Sequence, residues 1–299
     1  MKTVVIQVLI KDDNHNMQED QENNVIVVTW DFTQVSEYAL AHAVKLAKIM
    51  NYEIKLLHIV KAGVSDYVIE KAEEQLLIVS KKTYGETGVV CSVVIQKGNL
   101  FSAISDYASQ TNTQLVVMGT HGIKGAQKLF GSKALKVLTG SNAPFIVVQS
   151  MPDQNAKIAS VVFPIDFKSE NKEKVQWAIY AGRNFSSKVY LFKSPVMDSD
   201  LQKKVNANLN FAIRFLKQND IEYEIFTASK SSDFAGETIR FAEQMKADLI
   251  IVTTTKDITQ FDYIFGADEQ TIIANSAQIP VMCMNPMLRY ARVGQFMYG

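Results

Sequence analysis

The chain has 299 residues, of which 47% are hydrophobic and 21% are charged. This composition is typical of folded globular proteins and excludes overall disorder, and the length is sufficient for two ordinary domains. Basic and acidic residues number 31 each, so the formal net charge is zero. This balance favours neither nucleic acid nor an anionic membrane surface as a partner. No apolar run approaches the roughly 18–20 residues that a membrane span needs.

The N-terminal segment, residues 1–23, combines one apolar run at 3–10 with nearly all of the polar stretch KDDNHNMQEDQENN at 11–24. We interpret it as a strand and a tether, because no small-residue cleavage site follows the apolar run. Cys91 and Cys283 lie in apolar runs and are predicted to be buried free thiols, which indicates a reducing compartment and a cytoplasmic protein. A basic, aromatic tail at 287–299 is expected to pack on the body.

Residues 24–150 alternate apolar strand patterns with amphipathic helix patterns. The five predicted strands span 25–30, 54–60, 89–95, 115–118 and 145–149, and the four predicted helices span 35–50, 66–84, 100–108 and 133–138. Strands that alternate with helices in this way form parallel β-α-β units with right-handed crossovers. The predicted fold is therefore a doubly wound α/β domain.

The second half of the chain repeats the first at a constant offset of 135 residues. Asp166 falls on Asp31 and Ile239 on Ile104, and LFGS at 129–132 matches IFGA at 264–267. A constant offset over so long a stretch indicates a duplicated domain. We therefore expect two tandem domains, 24–150 and 158–286, joined by a short linker.

Two segments of the first half follow predicted strand ends at which a ligand would bind. In an open α/β sheet, ligands bind beyond the carboxyl ends of the strands, where the strand order reverses. Asp31 closes the first strand, where it would accept a ribose hydroxyl or ligate Mg²⁺. The loop MGTHGIKGAQKLFGSK (118–133) follows the fourth strand.

The composition of this loop favours an anion. Its glycines are expected to leave backbone N–H groups open, and Gly131-Ser132 begins a helix whose first N–H groups attract phosphate oxygens. Tight turns alone are the alternative explanation for the glycines. The residues concerned are Gly119, Gly122 and Gly125, with Lys124, Lys128 and Lys133 as nearby cations.

Five segments, VTWDFT, LLHIV, VVMGTHG, LFGSKALKVL and APFIVVQ, resemble in order and spacing the sequence blocks of the universal stress protein family. The resemblance covers nearly all of 24–150 and, more faintly, 158–285. It implies a five-stranded parallel sheet of order 3-2-1-4-5 in each half, with helices on both faces. It also implies that ATP, with or without Mg²⁺, binds in the first half only. The implied contacts are Thr29 and Asp31 on the ribose side, Ile59 on adenine through its backbone, Met118, Gly119 and Gly122, and Gly131, Ser132 and Lys133 on the phosphates.

Two departures from the family pattern bear on ligand binding. ATP-binding members share the motif G-x2-G-x9-G-[S/T], whereas eight residues separate Gly122 from Gly131 here. In the second copy, bulky or acidic residues replace the small ones of the loop, so we expect that half to hold no nucleotide. The replacements are Thr254 for Gly119, Asp257 for Gly122, Gln260 for Gly125 and Ala267 for Ser132.

Catalytic interpretations find little support in the sequence. The loop lacks the spacing of a Walker A motif, and no G-x-S-x-G elbow surrounds Ser132. His58 and His121 have no partner at metal-ligand spacing. We therefore expect a stress-response protein that is not an enzyme and for which ATP is a regulatory ligand. The alternative is a nucleotide-free scaffold that recruits protein partners.

The resemblance also implies how the two halves meet. Their last strands, PFIVVQ and PVMCMN, are expected to pair within the chain as an intramolecular pseudo-dimer. Residues 3–10 would then cover a free sheet edge or pair with a second copy of the chain.

Overall fold

The structure is a computed structural model that describes residues 24–120, 143–153, 157–168, 171–253, 255–256, 263–264 and 267–284. The predicted N-terminal strand, the glycine loop after residue 120 with its helix, and the C-terminal tail lie outside these residues. They remain predictions.

Ten strands form one sheet in the order β3-β2-β1-β4-β5-β12-β9-β6-β7-β8. Each half therefore contributes five mutually parallel strands in the order 3-2-1-4-5, and the predicted fold class is confirmed. A separate two-stranded ladder, β10 with β11, belongs to the second half. The strands are β1 (Val25–Thr29), β2 (Glu53–Val60), β3 (Cys91–Lys97), β4 (Thr113–Gly119), β5 (Phe145–Val148), β6 (Ser160–Ile165), β7 (Lys188–Lys193), β8 (Tyr223–Thr227), β9 (Leu249–Thr253), β10 (Thr255–Lys256), β11 (Tyr263–Ile264) and β12 (Val281–Met284).

Helices cover both faces of this sheet. Leu46 of α1 and Leu76 of α2 pack with Ile26 on one face, whereas Ile104 of α3 packs with Val27 on the other. The second half follows the same plan, with α4 and α5 on the first face and α6 and α7 on the second. None of the helices described is both long and apolar enough to cross a membrane. The helices are α1 (Gln34–Met50), α2 (Asp66–Thr87), α3 (Leu100–Gln110), α4 (Asn171–Phe185), α5 (Ser199–Gln218), α6 (Phe234–Gln244) and α7 (Ala267–Ile273).

The two halves meet through their last strands. β5 and β12 run antiparallel, with Met282 opposite Ile146 and Cys283 opposite Phe145. The expected pairing of PFIVVQ with PVMCMN is therefore present. Phe145 and Cys283 are both almost fully buried, so the core is continuous across the junction.

Both cysteines are buried free thiols, as the apolar runs around them predict. Burial raises the pKa of Cys91 to about 12, despite the opposing hydrogen bond from Ser80. Burial also raises the pKa of Cys283 well above its ordinary value. Because the thiolate is the reactive form, neither cysteine is suited to nucleophilic chemistry.

His42 lies on α1 beside the segment that connects the two halves. Its Nε2 atom is 3.1 Å from the carbonyl oxygen of Ser150. Burial lowers the pKa of His42 to about 4, although the Ser150 carbonyl opposes this shift. The unfolded chain therefore takes up a proton near pH 6.5, whereas the folded chain does so only near pH 4.

We expect this difference to make the protein acid-sensitive. The free energy of unfolding is at its full value above pH 6.5 and falls as the pH drops toward 4, by up to about 1.4 kcal/mol per pH unit. Between pH 7 and pH 5 the wild type should lose about 2 kcal/mol more than His42→Gln, which keeps a donor for Ser150. Urea unfolding at the two pH values measures this, and equal losses in both proteins would contradict the assignment to His42.

Candidate functional site

The first half has a topological switch point between β1 and β4. From β1 the chain crosses to β2 through α1 on one face, and from β3 it crosses to β4 through α3 on the other face. Because the connections leave in opposite directions, a crevice opens between the carboxyl ends of these two neighbouring strands. Asp31 and the residues after Gly119 follow directly on those ends, as the sequence predicts.

Three of the predicted contact residues lie together at this edge. The register that pairs Val28 with Val117 places Thr29 beside Met118, and Ile59 lies two residues beyond Leu57, the partner of Thr29. Alternate residues share a face of a strand, so Thr29, Met118 and Ile59 lie on the face covered by α3. Met118 and Ile59 are half-buried and pack on the core of that face. They form a mostly apolar floor at the carboxyl edge.

Asp31 is exposed but held in one orientation. Its Oδ1 atom accepts hydrogen bonds from the Thr33 backbone N–H at 3.0 Å, the Thr33 hydroxyl at 2.5 Å and the Ser36 hydroxyl at 2.6 Å. The Asp31 N–H donates in turn to the Ser36 hydroxyl at 2.9 Å, and Ser36 is buried. Asp31 therefore organises the turn into α1 as well as standing at the crevice.

The roles of Thr33 and Ser36 are not among the predictions from the sequence. A signal was present, because hydroxyl residues two and five positions after an aspartate at a strand end are typical of a turn that side chains stabilise. Such donors fix the direction in which a carboxylate faces a ligand.

The structure gives Gly119 a packing role. A Cβ atom built at this position would lie 2.0 Å from the carbonyl oxygen and 2.5 Å from the carbonyl carbon of Val35, in the first turn of α1. Only glycine allows the end of β4 and the start of α1 to approach so closely. The sequence predicts anion access as the role of this glycine, but close packing of the two walls of the crevice explains it directly.

The phosphate side of the predicted site lies outside the described residues. His58 is described, and its Nδ1 atom is 2.8 Å from the carbonyl oxygen of Trp30, on the sheet face opposite Ile59. The predictions that remain beyond the described residues concern His121, Gly122, Lys124, Gly125, Lys128, Gly131, Ser132 and Lys133.

Comparisons with known proteins agree with this architecture. A model of the universal stress protein family matches residues 22–149. A universal stress protein from Methanocaldococcus jannaschii is 29% identical over 138 residues, covering 42% of this chain and 81% of that protein. Residues 22–149 belong to the universal stress protein family.

A solved structure extends the likeness in fold to 89% of the chain. A universal stress protein from Archaeoglobus fulgidus DSM 4304 covers 89% of this chain and 100% of its own, with a TM-score of 0.72 and 18% identity. A universal stress protein from Archaeoglobus fulgidus in complex with dAMP covers 42% of this chain and 96% of its own, at 21% identity and a TM-score of 0.34.

The second half differs from the universal stress protein domain of the first half at the same edge. Lys168, two residues after Asp166, places its Nζ atom 2.5 Å from Glu269 Oε1 in α7 and 3.7 Å from Asp166 Oδ2. At the offset of 135 residues, the first half has Thr33 and Ala134 in place of Lys168 and Glu269. The second half therefore bridges its crevice with an ion pair that the residues at the matching positions of the first half cannot form.

The charges at this bridge are unfavourable to a phosphate. Burial alone would lower the pKa of Lys168, but the carboxylates of Glu269 and Asp166 outweigh it and raise that pKa. Burial and the Glu269 carboxylate raise the pKa of Asp268. Two acidic residues thus begin the helix that follows the loop, and Lys168 is already paired. This arrangement supports the expectation that the second half holds no nucleotide.

The segment after β9 also has a different form in the second half. Thr255 pairs with Ile264, and Lys256 with Tyr263, in an antiparallel ladder. The sequence does not predict this ladder, because strands of two residues carry no recognisable pattern. Thr254, Asp257 and Gln260 lie outside the described residues.

Proposed function

We propose that the first half of this chain binds ATP, with or without Mg²⁺, at the crevice between β1 and β4. The observation that carries the proposal is the convergence of Thr29, Ile59, Met118 and Asp31 on one edge of the sheet. A half-buried apolar floor suits a purine ring, and an oriented carboxylate suits ribose hydroxyls. The residues that the structure describes at this edge therefore fit the base and ribose of a nucleotide.

In this proposal, different residues contact the base, the ribose and the phosphates. The Ile59 backbone would hold adenine, Asp31 would hold the ribose, and Gly131, Ser132 and Lys133 would hold the phosphates at the start of the helix that the sequence predicts. Mg²⁺, when bound, would offset phosphate charge near Asp31.

We propose that the bound nucleotide is regulatory and is not turned over. Asp31 organises the turn into α1, and His58 is directed to the Trp30 carbonyl on the other face. Neither is arranged to take a proton from water beside a phosphate. ATP would act by favouring one of two conformations, or one of two partners, for which its affinity differs. The second half, closed by Lys168 and Glu269, would serve as a nucleotide-free scaffold for partners.

Isothermal titration of the full chain with Mg-ATP tests the proposal. We expect one ATP per chain, and we expect Gly122→Val to weaken binding at least roughly tenfold, because its side chain blocks approach to the loop backbone. Asp257→Val, the matching change in the second half, should leave the affinity unchanged. Absence of binding to the wild type, or full affinity in Gly122→Val, would overturn the proposal.

A further inference from the structure

Gln96 is a polar side chain near the carboxyl end of β3, in the run CSVVIQK. Its Oε1 atom is fully buried, and no residue in the described part of the chain donates a hydrogen bond to it. Buried acceptors without a donor are rare in native proteins because they lose their hydrogen bonds to water without compensation. An atom of this kind at a ligand edge points to a donor supplied by the ligand.

The sheet places Gln96 beside the apolar floor. β3 lies next to β2, with Val94 paired to Leu57 and Gln96 paired to Ile59. Val94 and Leu57 both belong to the core on the face covered by α3, so Gln96 lies on that face as well. Neighbouring strands are about 4.8 Å apart, so a planar ring resting on Ile59 has its edge within reach of the Gln96 amide.

We propose that Gln96 Oε1 accepts a hydrogen bond from the exocyclic amine of adenine and thereby selects the base. This inference rests on the proposed function, because it concerns the same crevice. The apolar floor can hold any purine through its face, whereas a polar group at the ring edge distinguishes one base from another. The 6-amino group of adenine is a donor that matches the unpartnered oxygen. The 6-oxygen of guanine would set a second acceptor against it.

The test removes the donor from the ligand and the acceptor from the protein. The full chain is titrated with ATP and with purine riboside 5′-triphosphate, which carries hydrogen in place of the 6-amino group. The wild type should prefer ATP by roughly tenfold, the effect of one hydrogen bond to a buried acceptor. In Gln96→Leu the affinity for ATP should fall by about that factor, and the preference should shrink to less than about twofold.

Two controls separate loss of contact from loss of fold. Gln110→Leu makes the same change at the exposed end of α3, beyond the opposite edge of the sheet, and should keep the full preference for ATP. The melting temperature of unliganded Gln96→Leu should equal or exceed that of the wild type, because the substitution removes an unpartnered buried oxygen. Gln96→Met, which is closer to glutamine in shape, replaces the leucine variant in the titration if that variant does not fold.

The outcomes distinguish this inference from the proposed function. One contrary result is that the wild type binds both triphosphates equally, and another is that the Gln96 variant keeps the full preference for ATP. Either result would show that Gln96 does not select adenine, while the proposed nucleotide site would remain supported. If the wild type binds neither triphosphate, the proposed function is wrong and this inference falls with it.

Discussion

Replacing Gly119 by alanine should destabilise the protein by roughly 2–3 kcal/mol and abolish nucleotide binding. The added Cβ would lie 2.0 Å from the Val35 carbonyl oxygen, and the atoms it meets include the backbone of α1 rather than the end of a flexible side chain. Either the end of β4 or the first turn of α1 must move, and overpacking of this kind costs about 1–3 kcal/mol or more. Because these two segments form the walls of the crevice, the same movement should displace Asp31 and Met118.

Urea unfolding of the full chain, followed by circular dichroism, measures the effect on stability. Gly85→Ala is the matched control, since Gly85 lies within α2 and a Cβ atom there meets nothing within 4 Å. That variant should be more stable than the wild type by about 0.5–1 kcal/mol, the helix preference of alanine over glycine. If Gly119→Ala were as stable as the wild type, the close approach of β4 and α1 would be wrong.

Removing the amine of Lys168 should destabilise the second half by about 3 kcal/mol. Glu269 is 8% exposed, and its Oε2 atom is buried with no hydrogen-bond partner among the described residues. In Lys168→Met its Oε1 atom would also lose its 2.5 Å contact, leaving a buried carboxylate without a cation. Breaking a buried ion pair in this way costs about 3–5 kcal/mol, and the 24% exposure of the lysine side chain places the expected cost at the low end.

Two further variants identify the cause of that loss. Lys168→Met combined with Glu269→Gln should recover most of the lost stability, because the buried carboxylate of Glu269 is replaced by a neutral amide and only the Asp166 carboxylate, 3.7 Å from the lysine, still loses its cation. Lys203→Met disrupts a pair with Asp200 in which both side chains are more than three-quarters exposed, and it should cost less than about 0.5 kcal/mol. Equal effects of the two lysine substitutions in thermal or urea unfolding would show that the Lys168 pair does not hold the second half closed.

The sequence predicts the strands and helices well because their hydrophobic periodicity matches the burial that the fold requires. Apolar runs such as that of β1 are buried on both faces, and the spacing of alanine and leucine in α1 matches the stripe that it buries. The boundaries are less accurate. The predicted third strand ends at 95, whereas β3 continues to Lys97, because Gln96 and Lys97 are polar and interrupt the apolar pattern. Gln96 was missed as a site residue for the same reason.

The candidate site also combines residues that the sequence predicts with contacts that it does not. Asp31 is a candidate because it closes a strand at the predicted switch point, and Ile59 and Met118 are candidates because the resemblance to the family carries them by position. The Lys168–Glu269 bridge could not be predicted, because its members are 101 residues apart in sequence and only the fold brings them together. The acidic replacement Asp257 is visible in the sequence, whereas Glu269, the residue that pairs with the lysine, is not among the predicted replacements.

Native mass spectrometry of the full chain, after incubation with saturating Mg-ATP and buffer exchange, tests the central claim most directly. The arrangement of the two crevices predicts a single population that carries one adenine nucleotide per chain, and predicts that a much smaller fraction of Gly122→Val carries it. Two nucleotides per chain would show that the second crevice is open, and no nucleotide on the wild type would show that the first does not hold ATP.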